Sequence, residues 1–379
     1  MIYADNAATT KISDRAYKQM LPFLREQYGN ASSQYSLGKN AKRAVEAARR
    51  QFAVALGAEP TEIVFASGGS EINNWVIRNV IGSFPGEPSH IITSAIEHPS
   101  IMNACRVLEN SGVEVTYLPV DRKGRVSIES LSAAIKPSTK LVSIMFGNNE
   151  IGTIQPIPEI GELLRGRKIL FHTDAVQAVG HIPIDVRSLY VDFLTVSAHK
   201  FNGAKGTGIL FMRAGLSLSP LIFGGEQEHG LRAGTENVAG IVAAGCAIEE
   251  SVSNIAEVTQ TLNKMVNATV SGIQEQIPCI RINGDKENSL PGIVNLCFED
   301  ISGESLMHLL DLKKIYISTS SACNSGKDEP SHVLLAIGLN EKNAKSSIRI
   351  SYGRFNTMED VSAIVSAMCD AYKKIKESM

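Results

Sequence analysis

The chain has 379 residues, 44% hydrophobic and 20% charged, with a formal net charge of −2. That length exceeds one ordinary core and points to two domains of roughly 100–200 residues each. The near-neutral balance excludes a strong pull toward nucleic acid or an anionic membrane, and no apolar run reaches transmembrane length. The opening Met1-Ile-Tyr-Ala-Asp5 does not read as a signal peptide, so the cytoplasm is the expected compartment. Six cysteines are scattered with no C-x-x-C, which argues against a disulfide framework or a metal cage. Most are expected as small buried hydrophobes.

In chain order, Asp5-Asn-Ala-Ala-Thr-Thr10 is a polar loop of small residues. Ala41, Ala44, Val45, Ala48, Phe52 and Leu56 fall at helical spacing, and Gly57 ends that helix. Seven short apolar runs follow: Ile63–Ala66, His90–Thr93, Val115–Leu118, Leu141–Phe146, Ile169–Phe171, Val191–Val196 and Ile209–Met212. Helix-length segments separate most of them. That rhythm predicts βα units and a mostly parallel seven-stranded sheet flanked by helices. Pro99 suits a first helical position and makes His98 the helix cap. An interrupted helix is expected over about 237–275. The remainder alternates helices with strands at Ile315–Ser318, Ile293–Cys297 and Ser347–Ser351, the pattern of a smaller α+β domain. The expected division is 15–258 for the large domain, and 1–14 with 259–379 for the small one.

In a parallel sheet, ligands sit at the carboxyl ends of the strands. Polar clusters stand at five such ends: Ser67–Ser70, Glu97-His98, Asn148–Glu150, Asp174–Gln177 and Ser197–Lys200. Ser67-Gly-Gly-Ser70 opens a helix and offers N–H groups to an anion, although structural turns look alike. It is neither a dinucleotide nor a triphosphate loop. Asp174 is either a helix cap or a carboxylate that keeps a pyridinium nitrogen protonated. His98 either caps, stacks on a flat ring or shuttles protons. Lys200 ends a buried strand, where burial favours the neutral amine that a Schiff-base lysine needs. Phosphate cradle, carboxylate, ring partner and buried lysine together describe a pyridoxal 5'-phosphate pocket.

The ordered motifs Ser67-Gly-Gly-Ser-Glu-Ile-Asn-Asn74, Glu97-His98-Pro99, Asn148-Asn-Glu-Ile-Gly152, His172–Gln177, Ser197-Ala-His-Lys200, Arg232–Asn237 and Ser320-Ser-Ala-Cys323 span nearly the whole chain. With them the chain resembles the cysteine desulfurases of the iron–sulfur-cluster and nitrogen-fixation type, class V aminotransferases with the fold-type I architecture. The resemblance implies that Lys200 carries the cofactor and later a proton, that Asp174 pairs with the pyridine nitrogen, and that His98 stacks on the ring. It implies Asn149 and Gln177 at the ring's phenolic oxygen. Gly69, Ser70, Ser197 and His199 would take the phosphate. Thr235 would reach the phosphate of the neighbouring subunit in a homodimer. Arg349, with Asn149 nearby, would hold the substrate's α-carboxylate, where a planar fork favours arginine over lysine.

Cys323 sits in Ser318-Thr-Ser-Ser-Ala-Cys-Asn-Ser-Gly-Lys-Asp328, a small, polar stretch that reads as a mobile loop. By the resemblance it takes sulfur from L-cysteine as a persulfide, L-alanine leaves, and the sulfur goes to a cluster scaffold or a tRNA sulfurtransferase. The resemblance implies no resident metal, with Cys323 as a candidate ligand of a transient iron–sulfur cluster. Selenocysteine lyase and same-fold aminotransferase stay open as alternatives. His229 stands where many family members have arginine.

Overall fold

All seven apolar runs of the large part form strands in the computed structural model, which describes residues 1–319 and 329–379. After β1 (Ile2–Tyr3) come β2 (Ile63–Ala66), β3 (His90–Ser94), β4 (Glu114–Leu118), β5 (Thr139–Ser143), β6 (Leu170–Asp174), β7 (Phe193–Ser197) and β8 (Gly208–Met212). One sheet holds the seven in the order β2-β8-β7-β6-β5-β3-β4. Neighbours from β7 to β4 pair in parallel. Only β8 runs antiparallel, to β2 on one side and β7 on the other. Most of these strands are buried on both faces, which is why they read as unbroken apolar runs rather than alternating ones. The helix Ser36–Leu56 buries Ala41, Val45, Ala48, Phe52 and Leu56, and Gly57 closes it at φ +68°.

A second apolar core gathers Leu262, Met265, Leu296, Phe298, Leu306, Ile348 and Met368. It covers an antiparallel sheet of β9 (Arg281–Asn283), β10 (Ile293–Cys297), β12 (Ser318–Thr319) and β13 (Ser347–Ser351) in the order β12-β13-β10-β9. The expected strand Ile315–Ser318 is divided. β11 (Ile315–Tyr316) pairs with β1, and after Ile317 the chain switches to β13. The long helix breaks at Asn254 into Val238–Ser253 and Ile255–Gln276, bent by 75°. Among the described residues no single helix is long and apolar enough to cross a membrane.

Two features carry the site. First, the N-terminal segment straps both parts together. Ile2 and Tyr3 pair with β11, and Asn6 N donates to Ser351 O at 3.0 Å. Thr10 N donates to His199 O and Ser13 N to Asn202 O, each at 2.9 Å. Second, a buried ion pair anchors the loop that follows β8. Arg49 meets Glu228 with two bonds of 2.7 and 2.8 Å and also donates to Ile63 O. Glu228 accepts from Phe65 N at 2.8 Å, so the pair is locked to β2. Glu228 and His229 both take left-handed backbone, φ 48° and 58°, a conformation that non-glycine residues rarely adopt.

Candidate active site

A cavity of about 310 Å³ opens beyond the carboxyl ends of the parallel strands, a volume within the usual range for small-molecule sites. Gly69, Ser70, His98, Asn149, Asp174, Gln177, Ser197, His199, Lys200 and Arg349 all line it. Thr235 does not. It is exposed and lines an adjoining groove with Arg232 and Glu236. Cys323 lies outside the described residues.

The anion cradle is built where β2 turns into the helix Gly69–Gly82. A groove there is lined by Thr9, Ser67–Glu71, Ser197, His199 and Lys205 at the helix start, with the Glu71 carboxylate already taken up by Ser67 N and Arg232 at 3.0 Å each. A Cβ on Gly208 would lie 2.7 Å from the backbone of Gly68, so this approach of β8 to the turn requires glycine. A Cβ on Gly68 would meet nothing within 4 Å, which leaves open room over the turn. His199 Nδ1 lies 3.0 Å from Thr9 Oγ1. Burial, with Lys200 and Lys205 nearby, pushes the His199 pKa down to about 4, so the ring is neutral at pH 7.

Asp174 ends β6 with its carboxylate fixed by two donors. Asn73 Nδ2 reaches Oδ2 at 2.7 Å and Val176 N reaches Oδ1 at 3.0 Å. His98 caps the helix Pro99–Glu109, as its spacing predicts, and Nδ1 accepts from Ser100 N at 3.2 Å. Burial lowers its pKa; Asp174 opposes that shift, and Lys200 and His332 add to it. Lys200 sits on a short turn directly after β7. Its Nζ donates to Ala7 O at 2.6 Å and Ala8 O at 2.8 Å. Gln177 Nε2 also donates to Ala7 O, at 2.9 Å. Arg349 lies on β13, an inner strand, with its side chain only 3% exposed. It donates to Asn149 O at 2.9 Å and Asp5 Oδ1 at 2.6 Å. Its Nε is buried with no partner among the described residues. A buried guanidinium with an unmatched N–H at a cavity wall suits a carboxylate guest.

Sequence reasoning missed several contributors. Asn73 lies one helical turn beyond Gly69, so helical spacing from the cradle was the available signal. The carbonyls of Ala7 and Ala8 had no signal, because main-chain acceptors are not written in side-chain type. Glu97, the neighbour of His98 in sequence, is fully buried. Its Oε1 accepts from Ser94 Oγ and Met145 N, and its Oε2 has no partner among the described residues. Burial pushes its pKa up to about 8.

Glu97→Gln is therefore expected to gain stability over the wild type as pH rises. The unfolded carboxyl ionises above its ordinary value of 4.5, the folded one only near 8. Across that window the wild type loses up to about 1.4 kcal/mol per pH unit from this group, and the neutral amide loses nothing. Urea midpoints of both proteins from pH 5 to 8 measure the gap, and parallel curves would contradict it.

The aminotransferase class-V family model matches residues 2–364. The cysteine desulfurase IscS of Methanosarcina thermophila is 48% identical over 375 residues, which cover 99% of this chain and 93% of that protein. The chain belongs to the cysteine desulfurases of the class-V aminotransferase family. The desulfurase IscS of Clostridium botulinum strain Hall is similar at 47% over 378 residues, 99% of this chain and 95% of that one. Among solved structures, a NifS-like protein superposes with a TM-score of 0.93 at 38% identity, covering 98% of this chain and 99% of its own. The structure of SspA in complex with cysteine gives 0.83 at 35% identity, covering 94% and 100%. The cofactor of a desulfurase of this family is pyridoxal phosphate. The cavity fits it: a glycine turn with open room for a phosphate, a carboxylate held by two donors, and an amine line one space.

Proposed function

We propose that this desulfurase acts on L-cysteine, releases L-alanine and takes the sulfur onto Cys323 as a persulfide. The observation that carries this reading is the convergence of Lys200, Asp174, His98 and Arg349 on one cavity, drawn from positions 26 to 251 residues apart. Gly69, Ser70, Ser197 and His199 would hold the cofactor's phosphate, Asp174 its ring nitrogen, Gln177 and Asn149 its phenolic oxygen, and His98 its face. Bound pyridoxal phosphate supplies an electron sink for the pair left at the substrate's α-carbon. Arg349 and Asn149 orient the substrate's α-carboxylate. Lys200 Nζ, steered by the carbonyls of Ala7 and Ala8, takes and returns the α-proton. Cys323, as its thiolate, bonds to the substrate's sulfur while the carbon–sulfur bond breaks; the electron pair stays with carbon, a proton meets it, and alanine results.

The proposal extends to a homodimer in which Thr235 completes the partner subunit's phosphate site. Its exposed position beside the cradle, outside the cavity, supports that role. The onward acceptor would be a cluster scaffold or a tRNA sulfurtransferase, with Cys323 a transient cluster ligand. A cytoplasmic setting is part of the same reading, supported by free thiols at all five cysteines among the described residues. The separate cluster of Leu262, Leu296, Ile348 and Met368 supports dividing the chain into 15–258 and 1–14 with 259–379, and a smaller cluster of Ile96, Met145 and Ile151 with Val333, Leu334 and Ile337 joins the two parts.

Cys323→Ala tests the persulfide step. Sulfide release from L-cysteine is expected to fall by on the order of 10³-fold or more, the usual scale for loss of a nucleophile. The visible absorption of the bound cofactor is expected to stay. Wild-type protein given L-cysteine is expected to gain one sulfur atom at Cys323 by intact and peptide mass. Sulfide release by the variant at the wild-type rate would overturn the assignment.

A further inference from the structure

We propose that Asn73 and Ser100 form a one-directional hydrogen-bond relay that ties the Asp174 carboxylate to His98 and fixes His98 as the neutral tautomer with its proton on Nε2. The inference deepens the desulfurase reading and rests on it for the roles of Asp174 and His98.

The direction of every link is decided by groups that cannot reverse. Asn73 Nδ2 lies 2.7 Å from Asp174 Oδ2 and 2.9 Å from Ser100 Oγ. A flipped amide would set its oxygen against the carboxylate, acceptor against acceptor, so the NH₂ group faces both partners. The cost of that choice is visible. Asn73 Oδ1 is buried with no partner among the described residues. At the other end, the backbone N–H of Ser100 donates to His98 Nδ1 at 3.2 Å. A main-chain amide has no other role to offer, so Nδ1 carries a lone pair. Ser100 Oγ, 2.8 Å from the same nitrogen, must then donate to it while accepting from Asn73. The imidazole proton is left on Nε2. Asn73 and Ser100 are positioning residues here, since each acts through Asp174 or His98.

Such a relay holds His98 neutral. Putting a proton on Nδ1 would set it against the Ser100 N–H and force the hydroxyl to reverse. Charged or titratable groups facing His98 are Asp174 at the end of β6, Lys200 after β7, and His332 at the start of the helix His332–Ala336. Removing the hydroxyl leaves these in place and takes away one donor from the neutral ring. The His98 pKa then rises, and activity that needs the neutral ring fails at higher pH.

The experiment compares wild-type holoenzyme with Ser100→Ala and Ser100→Thr. In the wild type, ¹⁵N spectra of labelled histidine are expected to show His98 as the Nε2–H form. Ser100→Ala keeps the main-chain N–H against Nδ1, so it is expected to stay Nε2–H while the acid limb of the kcat/KM profile moves up by about one pH unit, the scale of one lost hydrogen bond. Ser100→Thr keeps a hydroxyl and is expected to return the limb to its wild-type position. The cofactor's absorption and circular dichroism check that each variant is folded and loaded. A wild-type His98 protonated on Nδ1, or a Ser100→Ala profile that overlays the wild type, would overturn the relay. Failure of the wild type to form alanine from cysteine would instead sink the desulfurase reading, and the ¹⁵N spectrum would still decide the relay.

Discussion

Lys200→Ala is expected to turn over L-cysteine on the order of 10³-fold or more below the wild type while remaining folded. The side chain reaches out of a short turn between β7 and β8 and is not part of either apolar core. Its loss removes two hydrogen bonds to carbonyls that solvent can satisfy in its place. Under the proposed function, what disappears is the amine that would join the cofactor and move the α-proton. Arginine at this position is not expected to rescue the activity, because a guanidinium does not give up its proton in proteins. The direct check is borohydride reduction followed by peptide mass analysis. Wild-type protein is expected to carry a reduced pyridoxyl group on Lys200, and the variant none. Label on a different lysine of the wild type would move the active site elsewhere.

The second large effect concerns stability. Glu228→Gln takes away the buried carboxylate of Arg49 and leaves it only the more exposed Glu46 at 3.2 Å, so the loss is expected at the low end of the about 3–5 kcal/mol that breaking one partner of a buried pair costs. The Arg49 and Glu228 side chains are each 4% exposed, and the Glu228 carboxylate also accepts from Phe65 N, so little water is at hand to compensate. The urea midpoint is expected to fall with little change in slope. Replacing both members together, Arg49→Met with Glu228→Leu, is expected to recover most of the loss, since the desolvation cost goes with the charges. Equal loss in the single and double variants would show that packing, rather than the cation left without Glu228, sets the penalty. Because Glu228 anchors the loop that continues to Arg232 and Thr235, the single variant is also expected to weaken cofactor retention. Arg232 meets Glu71 in the first turn of the cradle helix, at 3.0 Å.

Much of this architecture was legible in the residues. Most of the seven central strands are covered on both faces, and continuous apolar runs report that directly. Pro99 after His98 announced a capped helix, and the polar clusters at five strand ends announced the cavity. Strand direction was not legible. β8 is reversed, yet side-chain periodicity is the same for either sense, and only the short, helix-free stretch from Ala198 to Thr207 hints at it. β9 is a three-residue edge strand, too short and too polar to stand out. The Arg349 contact with Asp5 spans 344 residues, and pairing at that distance leaves no local trace. Asn73 and Ser100 look like ordinary helix-start residues until the fold sets them beside Asp174 and His98.

The N-terminal strap is seated by residues that lie far along the chain. Residues 2–13 leave the exit tunnel early, but their partners at 199, 202, 315 and 351 are translated much later. Lys200 can meet the carbonyls of Ala7 and Ala8 once about the first half of the chain is made, whereas Arg349 meets Asp5 only when nearly the entire polypeptide has been made. A pocket wall that waits on such distant partners is expected to close late in folding, after both apolar clusters have formed.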